Sequence, residues 1–249
     1  IIDQIVLFGN LLYTAVMNSN RLSKILARSG IASRRACEQL IFEGKVRVNA
    51  TVIKTPQTFV DPEKDKIFIN NAPLIICDEK LYFVLNKPNG YICSNKMNER
   101  KKLVVDLFSH LNKRLFTVGR LDRDTTGLLL VTNDGYFAQD VIHPSKNLRK
   151  EYLVKTHQEI TADHLKDLAN GTLLEGKWTR PKHVVKVRKG TFKIVVTEGK
   201  KREVRLMVQN AGLSLVSLKR IRIGGLKLGD LEEGQFRPLS EKERHLIFT

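Results

Sequence analysis

The run Leu128-Leu129-Leu130-Val131-Thr132 constrains this chain more than any other segment. Four consecutive aliphatic residues leave no polar face, so the strand they form has to be covered on both sides. It is closed by Asn133-Asp134-Gly135, a turn signature. It is entered from Gly119-Arg120-Leu121-Asp122-Arg123-Asp124-Thr125-Thr126-Gly127, a segment with an acid set between two arginines. Loops anchored on rigid strands are where reactive side chains are placed. An arginine neighbour favours the ionised carboxylate, ready for nucleophilic or base work. Read from composition alone the same segment is equally a plain turn, because Asp, Thr and Gly are ordinary turn formers.

The rest of this half alternates strands with short helices. Leu81 to Asn86 is an apolar strand cut by the turn Lys87-Pro88-Asn89-Gly90, and Leu115 to Val118 runs into Gly119. Tyr136 to Ile142 reads as a short helix, Tyr152 to Val154 as a strand, and Ala162 to Leu168 as an amphipathic helix ending near Gly171. His183 to Arg188 and Thr191 to Thr197 form a hairpin across Lys189-Gly190. Val204 to Gln209 is helical, and Leu213 to Leu218 is a strand. The pattern predicts an α+β fold with a mixed or antiparallel sheet. Neither GxGxxG nor GxxxxGK[ST] occurs, so a dinucleotide or nucleoside triphosphate is not indicated.

Upstream lies a smaller block. Arg21 to Ala27 has helical apolar spacing and ends at Gly30. Ser33 suits the N-cap of a second helix, Arg34 to Phe42, closed by Gly44. Lys45 to Asn49 alternates like a strand, with short strands at Val60 and Ile67-Phe68-Ile69. The joint between the blocks falls within Ile75 to Lys80. Residues 1–19 are expected to be a leader or upstream sequence outside the fold, since Met17 resembles a natural start; the rival reading is a short extra helix.

The 249 residues carry 43 Lys+Arg against 26 Asp+Glu, a formal charge of +17. That excess points to a polyanion, nucleic acid before an anionic membrane. The alternative is a basic, solvated surface. Ten basic residues fall between 180 and 205, against Glu198 and Glu203. Part of that charge is expected on a solvated strand face and part on a nucleic-acid cleft. Three widely spaced cysteines fit a reducing compartment, here the cytoplasm. Neither they nor the six histidines show metal-ligand spacing, so no metal site is expected. No stretch is long enough to span a bilayer, and no membrane partner is expected.

Two resemblances sharpen these readings. Residues 21–49, RLSKILARSGIASRRACEQLIFEGKVRVN, resemble the RNA-binding domain named after ribosomal protein S4. The resemblance implies that Ser33, Arg34, Arg35, Lys45 and Arg47 meet RNA phosphates. Ser23 and Asn49-Ala50 depart from its commoner residues. The segment GRLDRDTTGLLLVTNDG is similar to the signature of RNA pseudouridine synthases of the RsuA family. Asn86 to Gly90, Lys150 to Val154 and Glu198 to Met207 resemble three further family segments in the family's order.

Together the two resemblances imply an S4-like domain over 20–77 and a catalytic domain over 78–249. The second implies a cofactor-free conversion of uridine to pseudouridine in ribosomal RNA or an assembly intermediate; the chain is expected to be a monomer. Asp122 would be the catalytic acid, with Tyr152 against the base and Arg205 paired to Asp122. Val204 would lie under the base, and Arg120, Lys87 and Arg202 would contact substrate. Asp124 is read as a turn or cap residue and Asp134 as part of the Asn-Asp-Gly turn. Leu206 stands where a second arginine is usual. The segment Leu218 to Gly224 leans toward large-subunit RNA as target, with small-subunit RNA as the alternative. A non-catalytic RNA-binding assembly factor and a glycosylase-like hydrolase using Asp124 are the competing functions.

Overall fold

The structure, a computed structural model, describes residues 20–76, 79–95 and 101–249. The expected leader, residues 1–19, lies outside the described residues. The chain divides into two compact units after Glu79.

In the first unit β1 (Asn20–Arg21) leads into α1 (Leu22–Arg28), followed by α2 (Arg34–Phe42). The Ser33 side chain accepts a hydrogen bond from the Ala36 amide at 3.2 Å, which satisfies one of the helix's open N–H groups. Gly44 takes φ +70°, where a side chain would be strained, and turns the chain into the sheet. Strands β2 (Val46–Val48), β3 (Thr51–Ile53), β4 (Phe59–Val60), β5 (Ile67–Ile69) and β6 (Ala72–Pro73) follow. Four of them form an antiparallel sheet in the order β3-β2-β5-β6, and β4 pairs with β1. Leu22, Leu26, Cys37, Ile41, Val46 and Ile67 close a core between helices and sheet.

The second unit is built on one large sheet. Its strands are β7 (Tyr82–Lys87), β8 (Phe116–Val118), β9 (Thr126–Thr132), β10 (Lys150–Thr156), β13 (His183–Arg188), β14 (Thr191–Val196), β15 (Leu215–Ile223), β16 (Leu226–Lys227) and β17 (Phe236–Pro238). A separate hairpin joins β11 (Thr172–Leu174) to β12 (Lys177–Thr179). The order across the main sheet is β13-β14-β10-β15-β9-β7-β17. Helices α3 (Gly135–Ile142), α4 (Ala162–Asn170), α5 (Glu203–Asn210) and α6 (Glu241–Leu246) join a 3-10 turn at Val104–Leu111. The fold is thus α+β, with a small helix-and-sheet domain before a larger sheet-rich one.

The aliphatic run does what its composition demands. Leu129 and Val131 enter one core with Phe83, Leu85, Phe108 and Met207. Leu128 and Leu130 enter the opposite core with Val84, Ala138, Val141 and Ile247. The strand is therefore buried on both faces.

The sheet has a seam at its centre. Strands β9 and β15 run parallel and meet only at Lys219↔Thr126 and Arg220↔Gly127. The paired register ends there, and Arg220 also lines a groove. Gly127 has φ +103°, and a Cβ there would lie 2.2 Å from the Arg220 carbonyl oxygen. Only glycine permits that approach.

Two local expectations change. The strand expected over Leu213 to Leu218 runs instead from Leu215 to Ile223, between β10 and β9. Asp134 does more than form a turn. It caps α3, its carboxylate accepting from the Tyr136 and Phe137 amides at 2.9 and 3.3 Å. Its other oxygen accepts from the Tyr82 hydroxyl at 2.8 Å. The 3-10 turn, the β11–β12 hairpin and β17 lack a clear sequence signal; α6 has one that the sequence reading passed over, the capping box Ser240 to Glu243. Phe236 on β17 meets Phe83 edge-on and lies tilted against Phe108, so that edge strand is held by aromatic packing.

Candidate active site

The groove beside the seam has a volume of about 510 Å³. Arg120, Asp122, Tyr152, Val204 and Arg205 all line it, with Arg202 at its edge. These residues come from the loop before β9, from β10, and from the start of α5, which are far apart in sequence.

The loop Gly119–Thr125 is fixed from several directions. Lys87 is fully buried, and its Nζ donates to the carbonyls of Pro88, Arg123 and Thr125 at 3.0, 3.2 and 2.9 Å. Burial pushes the Lys87 ammonium below its ordinary range. Lys87 was expected to touch substrate; its donors are instead spent on two carbonyls of this loop and on that of Pro88, and it acts as a strut. The Gly90 amide donates to the Arg123 carbonyl, and the Leu121 amide to Cys93 Sγ. Burial holds the Cys93 thiol above its usual value.

Arg205 meets this loop across 80 residues of sequence. Its Nη2 donates to Thr125 Oγ1 at 2.9 Å, and its Nη1 lies 2.9 Å from Asp124 Oδ2. Its Nε lies 3.5 Å from Asp122 Oδ2. The guanidinium thus bridges both aspartates, and its shorter contact is to Asp124. Asp124 sits in the turn as expected, but its side chain belongs to this network. Spacing alone cannot show which carboxylate a distant arginine will reach. Asp122 is left about one-third exposed toward the groove, while Arg205 is only 12% exposed.

Tyr152 is 8% exposed and Val204 5%, so the ring and the isopropyl group form an apolar floor. Lys150 braces the adjoining loop, its Nζ donating to the Thr197 and Glu198 carbonyls at 2.9 and 2.6 Å. Burial first, then the charge of Arg220, pushes the Lys150 ammonium down. Glu203 is buried and accepts from the Lys200 amide at 3.2 Å; burial holds its carboxyl above the usual range. Arg202 takes φ +55° and is exposed. Leu206 packs against the main core. Much of the basic cluster is used within the fold: Lys186 and Lys189 face Glu159, and Lys200 faces Glu198. Arg120, Lys201 and Arg202 form the exposed basic rim.

In the first unit Arg34, Arg35 and Lys45 are exposed, while Ser33 caps its helix. Arg34 ion-pairs with Glu38 at 3.4 Å and Lys45 with Glu43 at 2.6 Å, both at the surface. Arg47 lies flat over Phe68, 3.9 Å from the ring centre, and donates to the Asn49 carbonyl.

A family model described as RNA pseudouridylate synthase matches residues 81–210, more than half of the chain. The chain belongs to the RNA pseudouridylate synthase family. An S4 domain model matches residues 20–67 ahead of it. Among family members, ribosomal large subunit pseudouridine synthase B of Bacillus subtilis is 36% identical over 229 residues, covering 90% of this chain and 93% of its own. The chloroplastic protein SVR1 of Arabidopsis thaliana, whose assignment as a ribosomal large subunit pseudouridine synthase is provisional, is 46% identical over 242 residues. This chain spans only 59% of the length of that protein. A solved crystal structure of a pseudouridylate synthase superposes with a TM-score of 0.66 at 31% identity, covering 91% of this chain and 99% of the other. Among the described residues no helix is long and apolar enough to cross a membrane.

Proposed function

We propose that this chain converts a specific uridine of large-subunit ribosomal RNA to pseudouridine, with Asp122 as the reacting acid. The observation that carries the reading is the convergence of Asp122, Tyr152 and Arg205 on one groove, with Asp122 Oδ2 3.5 Å from Arg205 Nε. The names of the two relatives support the large subunit over the small.

The chemistry follows from the groups present. A uridine stacked in a helix cannot reach a groove floor, so it is extruded, and exposed cations hold the neighbouring phosphates. Arg120, Lys201 and Arg202 serve on the rim. The Asp122 carboxylate then lies by the sugar. There it attacks the anomeric carbon or removes the neighbouring 2′ proton. The bond from that carbon to N1 of uracil breaks. The base turns against Tyr152 and Val204 and rejoins through C5, which afterwards loses its proton. N1, freed from the sugar, takes up a proton in exchange, so composition and oxidation state are unchanged and the conversion is an isomerisation. Arg205 orients the carboxylate without blocking its groove-facing oxygen. Hydrolysis of a glycoside, by contrast, calls for two opposed carboxylates. Here Asp124 is engaged by Arg205 at 2.9 Å, on the same guanidinium as Asp122, and does not oppose it.

The S4-like unit supplies sequence-independent affinity through Arg34, Arg35 and Lys45. The working form is taken to be a monomer, in whichever compartment holds the ribosomal RNA. Mapping pseudouridines in ribosomal RNA from cells lacking this gene tests the reading. Loss of a large-subunit position, restored by the wild-type gene, is expected. An unchanged large-subunit map, or a loss confined to small-subunit RNA, contradicts it.

A further inference from the structure

We propose that Arg220 stabilises the detached uracil as an anion by donating to a carbonyl oxygen of the base. The inference rests on the reading of the groove as a pseudouridine synthase site and adds a residue to it.

Arg220 is 4% exposed and lines the groove. Its Nε donates to the Leu128 carbonyl at 2.8 Å, which fixes the guanidinium plane. Its Nη2 is buried with no hydrogen-bond partner, and among the described residues no carboxylate lies within ion-pair distance. A buried guanidinium without a counter-charge is unfavourable. The Lys150 ammonium, held down first by burial, also feels its repulsion. By contrast Arg205 has two carboxylates and Arg222 has Glu151 at 2.8 Å. A site that leaves one arginine unpaired on its floor is prepared for negative charge that arrives with the substrate.

The register says which negative charge. Tyr152 on β10 is the cross-strand partner of Arg220 on β15. Partners in an antiparallel pair project to the same face. Arg220 therefore shares the floor with the ring proposed to lie against the base. RNA phosphates stay at the rim, where Arg120, Lys201 and Arg202 are exposed; only the extruded base reaches the floor. When the bond from C1′ to N1 breaks, its electron pair passes to the base, and the charge spreads over N1, O2 and O4. A preorganised cation facing such an oxygen stabilises this state more than the neutral starting base. Forming the C5–C1′ bond consumes that electron pair; loss of the C5 proton returns it to the ring, and the demand ends when N1 takes up a proton.

Single-turnover disappearance of the starting nucleoside, for uridine RNA and 5-fluorouridine RNA, tests this with wild type, Arg220→Met and Arg220→Lys. Fluorine makes the uracil anion intrinsically more stable, so it depends less on a cation. The expected result is a loss of about 10²-fold for Arg220→Met on uridine RNA and under about tenfold on the fluorinated RNA. Arg220→Lys, which keeps charge and stem, is expected to lose less, with the same bias toward uridine. If Arg220→Met does not fold, the bias in Arg220→Lys decides. Equal losses on both RNAs overturn the proposal and leave Arg220 a strut for the Leu128 carbonyl. A weakened affinity with an unchanged rate overturns it in favour of a phosphate contact. A wild type that converts neither RNA overturns the functional reading itself.

Discussion

Replacing Gly127 with alanine tests the seam on which the groove depends. The new methyl carbon would sit 2.2 Å from the Arg220 oxygen, 2.7 Å from its nitrogen and 2.9 Å from its carbonyl carbon. All three are backbone atoms, so no side-chain rotation relieves the contact. The φ of +103° adds strain of about 1–3 kcal/mol for a residue with a Cβ. The only relief is to part β9 from β15. That surrenders the Arg220↔Gly127 pairing and the Arg220 hydrogen bond to Leu128, about 1 kcal/mol each. The sum is a destabilisation of about 3–5 kcal/mol, the range of severe single substitutions. At about 2–4 °C per kcal/mol, Tm falls by about 10 °C. Asp122 lies five residues upstream, so catalysis should fall by at least about 10²-fold even below the new Tm. Gly135→Ala is the control. Gly135 opens α3, and a Cβ there meets nothing within 4 Å. Its stability should move by no more than about 0.5 kcal/mol, with activity intact. Thermal or urea unfolding and single-turnover rates read both variants. A Gly127→Ala protein with near wild-type Tm and full activity would refute the argument.

Three further outcomes are expected. Asp124→Ala should lower kcat by about 10- to 100-fold through loss of the Arg205 orientation; because Asp124 is half exposed, stability should change by under about 1 kcal/mol, as circular dichroism melting would show. Glu243 is hydrogen-bonded by Arg237 and caps α6 through Ser240, which together hold its carboxyl down at about 2. Since the folded value is depressed, this contribution is present above the ordinary value of 4.5 and is lost as pH falls through about 2; Glu243→Gln should cost about 1 kcal/mol at neutral pH, after discounting for the partly exposed pair, and the difference from wild type should vanish toward pH 2 in urea titrations. Reversing charge at Arg34 and Arg35 should weaken RNA binding and flatten its salt dependence, measured by filter binding between low and moderate salt; an unchanged slope would remove the S4-like unit from the interface.

The framework of the fold was legible because its signals are local. The aliphatic run at Leu128 to Val131 required a doubly covered strand, and Ser33 before an apolar helix face marked a cap. The less legible parts depend on contacts distant in sequence. The edge strand at Phe236 is held by aromatic stacking, not by alternation. The central strand Leu215 to Ile223 carries Lys219, Arg220 and Arg222, which interrupt its apolar pattern: the first two sit at the seam, and Arg222 pairs with Glu151. In the candidate site, the segments bearing Asp122, Tyr152 and Arg205 were recognisable as motifs. The sharing of Arg205 between two aspartates was not, since it is set by the angle between α5 and the loop. Lys87 was read as a substrate cation from the family resemblance of its turn; that carbonyls of Arg123 and Thr125, distant in sequence, join that of Pro88 around the ammonium is a fact of three dimensions.

The most direct test is release of tritium from RNA labelled at C5 of uracil, comparing wild type with Asp122→Asn. The swap preserves shape and removes only the negative oxygen. Wild type should release label and leave no abasic sites, while the variant should bind RNA within a few-fold yet release nothing above background. Substantial release by Asp122→Asn would contradict the assignment of that carboxylate as the reacting group.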